Sequence, residues 1–475
     1  MESSQFKRVL NKKEVFALAF GAMIGWSWVI LTGDWITTAG TLGAVLAFVI
    51  GGVLVLFVGL TYAELTVAMP KCGGEHVFSM RAIGKTGSFV CTWSIIVAYI
   101  GVAAFEACAF PTVVQYLFPG FMRGYLYTVA GFDVYLSWMI VGLVLSVVIT
   151  VLNYIGIKPA AVFNTILTFV IAGVGIILVA ASAINGDTAT MQPLFDNGVK
   201  GIMGVAVMTP FMFVGFDVIP QAAEEIDIPF KKIGGLLILS IVMAVVFYVM
   251  IIIAVSLMMT KDDLASSSLA TADAMKKAFF NSGAAANVLI IGGMAGIITS
   301  WNSFFVGGSR AIYAMSEAKM LPAFFGTIHP KYKTPTRAVL LIGIICFIAP
   351  FFGRRMLVWL ADAGSAATVI AYMLVAISYF ILRFTEPDME RPYKVRFGIL
   401  VGVIAIAMTV FMFVLYIPGM PAGLTPEEVV IFLIASGLGL AMGIYAKIKY
   451  GSQFGESPAI WQPIRYRNKS LRNKV

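Results

Sequence analysis

The sequence predicts an all-α membrane protein of twelve transmembrane helices, and three observations carry that prediction. The chain has 475 residues, of which 60% are hydrophobic and only 12% charged, whereas about a quarter of an ordinary soluble domain is charged. Apolar runs long enough to cross a hydrocarbon core, about 20 residues, recur along nearly the whole length. These runs do not alternate apolar with polar residues, which excludes a membrane barrel. In lipid each run must satisfy its own backbone hydrogen bonds, and a helix does so.

The twelve apolar segments, numbered here 1 to 12, fall at 14–39, 42–67, 88–118, 134–156, 159–185, 201–227, 233–259, 285–318, 336–352, 355–384, 397–418 and 426–449. The polar, basic start MESSQFKRVLNKKE leads straight into a full-length span, which is not the pattern of a cleavable signal peptide. Lys and Arg set the orientation. With the N-terminus inside, 25 of them fall on the cytoplasmic side. Seven (Arg123, Lys200, Lys261, Lys276, Lys277, Arg354, Arg355) fall outside, and Arg310 lies within segment 8. Both termini are therefore expected in the cytoplasm. The net charge of +9 is accounted for by basic loops, with lipid and not nucleic acid as the partner. Cys72, Cys91, Cys108 and Cys346 show no metal-ligand spacing and read as core thiols. His76 and His329, the only histidines, fall in loops between segments, and no catalytic constellation accompanies them, so an enzyme is not expected.

Two segments carry interruptions. Segment 1 contains Gly21-Ala22-Met23-Ile24-Gly25-Trp26-Ser27-Trp28, and segment 6 contains Pro210-Phe211-Met212-Phe213-Val214-Gly215-Phe216-Asp217. Each places small or helix-breaking residues mid-span beside an aromatic ring. They stand five segments apart, so the second copy is inverted in the membrane. Glycines in membrane helices can serve close packing alone, but interrupted helices at matching places in two halves point to a transporter's binding site.

With these breaks in place the chain resembles the amino acid–polyamine–organocation superfamily of permeases. The resemblance rests on Ile24-Gly25 after a basic N-terminus, and on Tyr62-Ala63-Glu64-Leu65 followed by Pro70 and Gly73-Gly74. It rests also on Asn153 with Gly156-Ile157-Lys158, and on Gly215-Phe216-Asp217 followed by Ala223-Glu224-Glu225 and Pro229. Further along come Ser309-Arg310, Tyr313-Ala314-Met315, Leu321-Pro322, Thr334-Pro335 and Arg391-Pro392-Tyr393. The order and spacing of these patterns are specific where no single one is. The resemblance implies a five-plus-five inverted repeat with helices 1 and 6 broken. Helices 1–5 form the first repeat (14–185) and helices 6–10 the second (201–384). Helices 11 and 12 (397–449) stand outside it, between a cytoplasmic N-terminus (1–13) and a basic cytoplasmic tail (450–475). It implies secondary transport of an amino acid or related amine across the cell membrane by alternating access. A substrate sensor with a transporter fold is the alternative.

The family's site, carried onto this chain, places a substrate carboxylate on the freed N–H groups of Gly25, Trp26 and Ser27. The ammonium falls to carbonyls of Met23, Ile24, Phe211 and Val214 around the Gly215 break, with Phe211 at the place of a gating aromatic. One departure stands out. Many relatives have small residues after Ile-Gly, where this chain has Trp26-Ser27-Trp28. Either a Trp ring lines the pocket, with Trp28 in a gating position, or both rings pack against neighbouring helices. Charges within spans need a reason. Glu64 reads as structural or gating. Glu106 reads as a proton-sensitive switch or as a neutral, hydrogen-bonded carboxyl. Asp217 reads as a partner of freed N–H groups or as part of a gate, and Asp362 lies near the outer end of segment 10. Three coupling modes stay open. The segment 5 Lys of some proton-coupled relatives corresponds to Ile171 here. Thr299 and Ser300 of segment 8, with Gly296 and the carbonyls of Gly21 and Ile24, match the hydroxyl and carbonyl set that binds sodium in relatives of the same architecture. Exchange without a coupling ion is the third mode.

Overall fold

A computed structural model describes residues 6–456; beyond Glu456 the predicted basic tail lies outside the described residues. Among the described residues nine helices are long and apolar enough to cross a membrane, the most hydrophobic being Phe230–Met258. The chain is a multi-pass helical membrane protein. The sheet among the described residues is a small antiparallel hairpin, Tyr125–Val129 with Phe132–Tyr135, between segments 3 and 4.

Local chemistry sets several boundaries. The first helix starts at Lys12 because Asn11 accepts from the Glu14 N–H while the Glu14 carboxylate accepts from the Asn11 N–H, at 2.9 Å, so two otherwise unpaired donors are satisfied at once. Thr425 and Glu428 repeat the device ahead of Pro426–Tyr450. The link between segments 2 and 3 is not an open loop. A helix begins at Glu75, bends at Gly84 (φ +75°) and runs on to Leu117. Gly84 supplies the left-handed backbone that other residues adopt only with strain. The fold thereby buries Glu75 and His76. The link after segment 7 also folds, into the short helices Lys261–Ser266 and Ala270–Ala278.

Segment 8, Gly283–Glu317, is the centre of the bundle, and nearly every residue from Gly292 to Ser316 is buried. An amide ladder fixes its neighbours. Asn153 Nδ2 donates to Asn302 Oδ1 at 2.8 Å, Asn302 Nδ2 to Asn164 Oδ1 at 3.3 Å, and Asn164 Nδ2 to both Ser303 Oγ and Ala17 O at 3.1 Å. Segments 4, 8, 5 and 1 are thus tied by neutral groups, which cost less to bury in lipid than charges. Pro426–Tyr450 leaves Leu433, Ile434, Leu440 and Ile448 exposed, an apolar face that suits contact with lipid.

Candidate functional site

Segment 1 is interrupted where glycine removes side-chain support. Its first helix, Lys12–Met23, ends at the break, and helix resumes at Ser27–Ile30 and Thr32–Ala39. The N–H groups of Gly25, Trp26 and Ser27 donate to no described group. Segment 6 is interrupted likewise. Gly198–Ala206 and Thr209–Met212 precede the break, and a four-residue helix, Val218–Gln221, follows it. Gly215 holds φ at +130° there. A methyl at Gly215 would lie 3.0 Å from the carbonyl carbon of Ala22 and 3.1 Å from the Met23 nitrogen. The two breaks therefore touch, backbone against backbone.

Beside that contact is a small opening. A methyl built on Gly25 would meet nothing closer than 3.9 Å, and what stands at that distance is Glu106 Oε1 and the Cβ and Oγ of Ser300. Glu106 is 5% exposed, and its other oxygen, Oε2, has no hydrogen-bond partner. A buried carboxyl oxygen without a donor is costly. The Glu106 carboxyl, one oxygen of which has no hydrogen-bond partner, thus stands beside Gly25, the first of three consecutive residues whose N–H groups are free.

The oxygens expected to hold sodium also converge. Thr299 Oγ1 lies 2.9 Å from the Gly21 carbonyl and 3.0 Å from that of Gly296. Gly296 abuts segment 1 so closely that a methyl there would lie 2.8 Å from the Ile24 carbonyl. Ser300 sits at the Gly25 opening. These are hydroxyl and carbonyl oxygens, with the Glu106 carboxyl beside Ser300, a set whose chemistry fits a hard cation.

Other expected residues are placed differently. The Met23 carbonyl, assigned to a substrate ammonium, accepts from the Tyr248 hydroxyl at 3.0 Å, and that hydroxyl is also 3.0 Å from Ser27 Oγ. Tyr248 thus bridges the break in segment 1. The Phe211 ring stands edge-on to Tyr416, centroids 5.0 Å apart, within a cluster that includes Ala366, Val369 and Met412. Val214 is half-buried within the segment 6 break. Trp28 is fully buried and edge-on to Phe247 of segment 7, at 5.4 Å. The Trp26 ring covers Gly293 of segment 8, where any side chain would collide with it. Asp217 Oδ1 accepts from the Gly215 N–H at 3.0 Å and from Tyr372 at 2.9 Å, and Oδ2 accepts from the Tyr99 hydroxyl. It holds the segment 6 break to segments 3 and 10. Glu64 is paired with Arg383 at 2.5 Å and Arg391 at 3.0 Å. Asp362 lies beside Glu428.

Sequence reasoning missed Tyr248, Tyr99, Tyr372, Asn164 and Asn302. A tyrosine or asparagine inside an otherwise apolar helix needs a partner, and that requirement was the available signal.

Two interrupted helices meeting around unsatisfied polar groups, within a multi-pass bundle, define a membrane transporter. The chain belongs to the amino acid permease family, whose model matches residues 10–441. Among its relatives in Bacillus subtilis, a branched-chain amino acid permease is 26% identical and aligns over 82% of this chain and 83% of its own length. A methylthioribose transporter is 25% identical, over 88% and 90%. A glutamate/serine transporter is 28% identical, over 94% and 83%. This family performs transport and not catalysis, and its substrates are small molecules, amino acids above all.

Proposed function

We propose that this permease carries an amino acid across the cell membrane by alternating access, with the substrate held at the Gly25 opening. The observation that carries this reading is the run of free N–H groups at Gly25, Trp26 and Ser27 with the buried Glu106 carboxyl, which has an unpartnered oxygen, beside Gly25. The substrate carboxylate goes to the N–H groups, helped by the positive end of the helix that restarts at Ser27. A cationic nitrogen goes to Glu106 and to the Ile24 carbonyl. Met23 acts through Tyr248 and shapes the break without touching the ligand.

The architecture we propose has twelve crossings. One of the nine long helical runs, Thr336–Thr385, is divided by the turn Ala349–Phe352, and the two interrupted runs, segments 1 and 6, complete the count. An inverted five-plus-five repeat is supported by breaks five segments apart that touch at Gly215. The excess of Lys and Arg supports cytoplasmic termini. A coupling sodium is supported by the oxygen set of Gly21, Ile24, Gly296, Thr299 and Ser300. It would tie segment 1 to segment 8 and favour the conformation that receives substrate.

Counterflow tests the transport reading. Proteoliposomes loaded with unlabelled amino acids should take up labelled ones against no gradient, and a sensor would not. Sodium is tested by substrate affinity in sodium and in equal potassium. Tighter binding in sodium, abolished by a Thr299→Ala, Ser300→Ala double variant, is the expected result, because ion and substrate must enhance each other equally. Equal affinity in both salts rejects the sodium site.

A further inference from the structure

The buried glutamates at the end of the bundle that carries the N-terminus divide into two kinds. Glu14 is paired with Lys158 at 2.7 Å, Glu225 with Arg310 at 2.9 Å, and Glu64 with Arg383 and Arg391. Glu75 is as buried as any of these, at 0% exposed, yet no cation pairs with it among the described residues. Asp217, also 0% exposed, has none either. The two carboxyls act on each other within one polar cluster. They hold opposite ends of one short helix: Asp217 precedes Val218–Gln221, and the Gln221 side chain meets Glu75.

We propose that Glu75 and Asp217 hold one proton between them, forming a cation site of proton chemistry separate from both the Gly25 opening and the Thr299 oxygen set. Two carboxylates sharing a dry cluster without a cation cannot both be charged at modest cost. Counting donors decides which one keeps the charge. Asp217 accepts from the Gly215 N–H, Tyr99 and Tyr372, three donors that suit an ionised carboxylate. Glu75 has the Gln221 amide on one oxygen, and its Oε1 has no partner. The Tyr62 hydroxyl faces Glu75, and Gln221 Oε1 is buried and unpartnered as well. Tyr62 offers this group one donor, and Gln221 Oε1 and Glu75 Oε1 are both acceptors, so a proton on Glu75 supplies a second donor.

The titratable groups that face Glu75 are Tyr62 from segment 2, Asp217 from segment 6, Cys91 and Tyr99 from segment 3, and Tyr372 from segment 10. His76, next in the chain, turns its Nδ1 to Ser88 and Thr92. When this end opens, Val218–Gln221 must part from Glu75. Water then reaches the carboxyl, its O–H bond breaks, and the proton passes to the solution on that side. Closing takes a proton up again. One proton is therefore linked to each opening of this gate.

Two measurements test the proposal. Infrared spectra of the purified protein at neutral pH should contain the C=O stretch of a protonated, buried carboxyl. Glu75→Gln should remove that component, and Glu106→Gln should leave it in place. A spectrum unchanged by Glu75→Gln overturns the proposal, whether or not the protein transports anything. The second measurement rests on the transport reading. An acid-outside gradient of one pH unit, coupled to one proton, supports about tenfold accumulation. Wild-type proteoliposomes given an equimolar mixture of radiolabelled amino acids should accumulate label toward that limit. In Glu75→Gln the ratio of uptake with the gradient to uptake without it should be about one, whatever the basal rate. Wild-type uptake indifferent to the gradient, or a variant driven as strongly as wild type, overturns the proposal. Counterflow without a gradient reports on the transport reading alone, so the two failures are distinguishable.

Discussion

The two ends of the bundle are closed by different chemistry. At the end carrying the N-terminus, closure centres on buried ion pairs. Arg310 and Glu225 form a two-pronged pair at 2.9 and 3.0 Å, with side chains 0% and 2% exposed. The Val9 and Leu10 N–H groups donate to the Glu225 carbonyl, and the Asp227 N–H donates to Leu10, strapping the chain's start across segment 6. At the opposite end the outer half of segment 1 is covered by Ala270–Ala278 through neutral contacts. Thr271 Oγ1 donates to the Trp28 carbonyl at 2.9 Å, and Ala270 packs on Gly33. The ion pairs there, Lys277–Asp263 and Lys261–Asp196, are partly exposed. One partner of a buried pair cannot be removed cheaply, whereas an exposed pair contributes about 0–1 kcal/mol. Under the alternating access proposed above, one end would act as a latch whose groups must be solvated in order to open, and the other as a lid of small residues that lifts at little cost.

The comparison is broken most forcefully at the latch. Arg310→Met leaves Glu225 buried and unpaired, and should cost about 3–5 kcal/mol. Thermal unfolding in detergent should show a large fall, and the double variant Arg310→Met, Glu225→Met should recover most of it. A single variant as stable as wild type would mean that the pair does not hold this end. Next in size is Gly215→Ala, which puts a methyl at φ +130° against the Ala22 backbone. Strain of about 1–3 kcal/mol should appear as lowered stability, with segments 1 and 6 no longer in register. Tyr248→Phe comes third. It frees the Met23 carbonyl and the Ser27 hydroxyl and should cost about 1 kcal/mol. Substrate affinity should weaken with it, since the break loses its bridge, and unchanged affinity would make Tyr248 a packing residue.

The smallest effect belongs to the lid. The Asp263 carboxyl is held down to about 2, first by Lys277 and then by the Thr260 hydroxyl and N–H. A depressed folded value means that its contribution is full above the unfolded value of about 4 and fades as pH falls toward 2. Asp263→Asn should therefore lower stability slightly at neutral pH, within the range of exposed pairs, and should match wild type in strong acid. A large loss at neutral pH would contradict the division between latch and lid.

The latch and the breaks differ in how legible they were. Ile24-Gly25 and Gly215 could be read because glycine in the middle of an apolar run has few uses other than bending or close approach. Thr299 and Ser300 were named from the resemblance to sodium-coupled relatives, and the fold sets Thr299 against the Gly21 carbonyl. His76 read as a loop residue, because it falls between segments 2 and 3, after Pro70, Gly73 and Gly74. In the fold those glycines let the chain turn and start a buried helix. Tyr248 stands in a run of Val, Met and Ile, where a tyrosine looks like core packing until its hydroxyl is seen bridging a helix 225 residues away. Phe211 was placed by its position in segment 6 alone, and position does not say which way a ring turns when the helix around it is broken. Long-range partners of single polar groups are set by packing, and one sequence does not contain that information.

The central claim is that substrate binds in the space beside Gly25, and Gly25→Ala tests it most directly. The structure leaves room for the methyl, with nothing nearer than 3.9 Å, so the variant should fold and unfold as wild type does without ligand. The methyl would occupy the space between Gly25 and the side chains of Glu106 and Ser300. A bound substrate raises apparent stability through its affinity for the folded state. The account predicts that amino acids which raise the melting temperature of wild type leave Gly25→Ala unmoved. An equal ligand-induced rise in both proteins would contradict it.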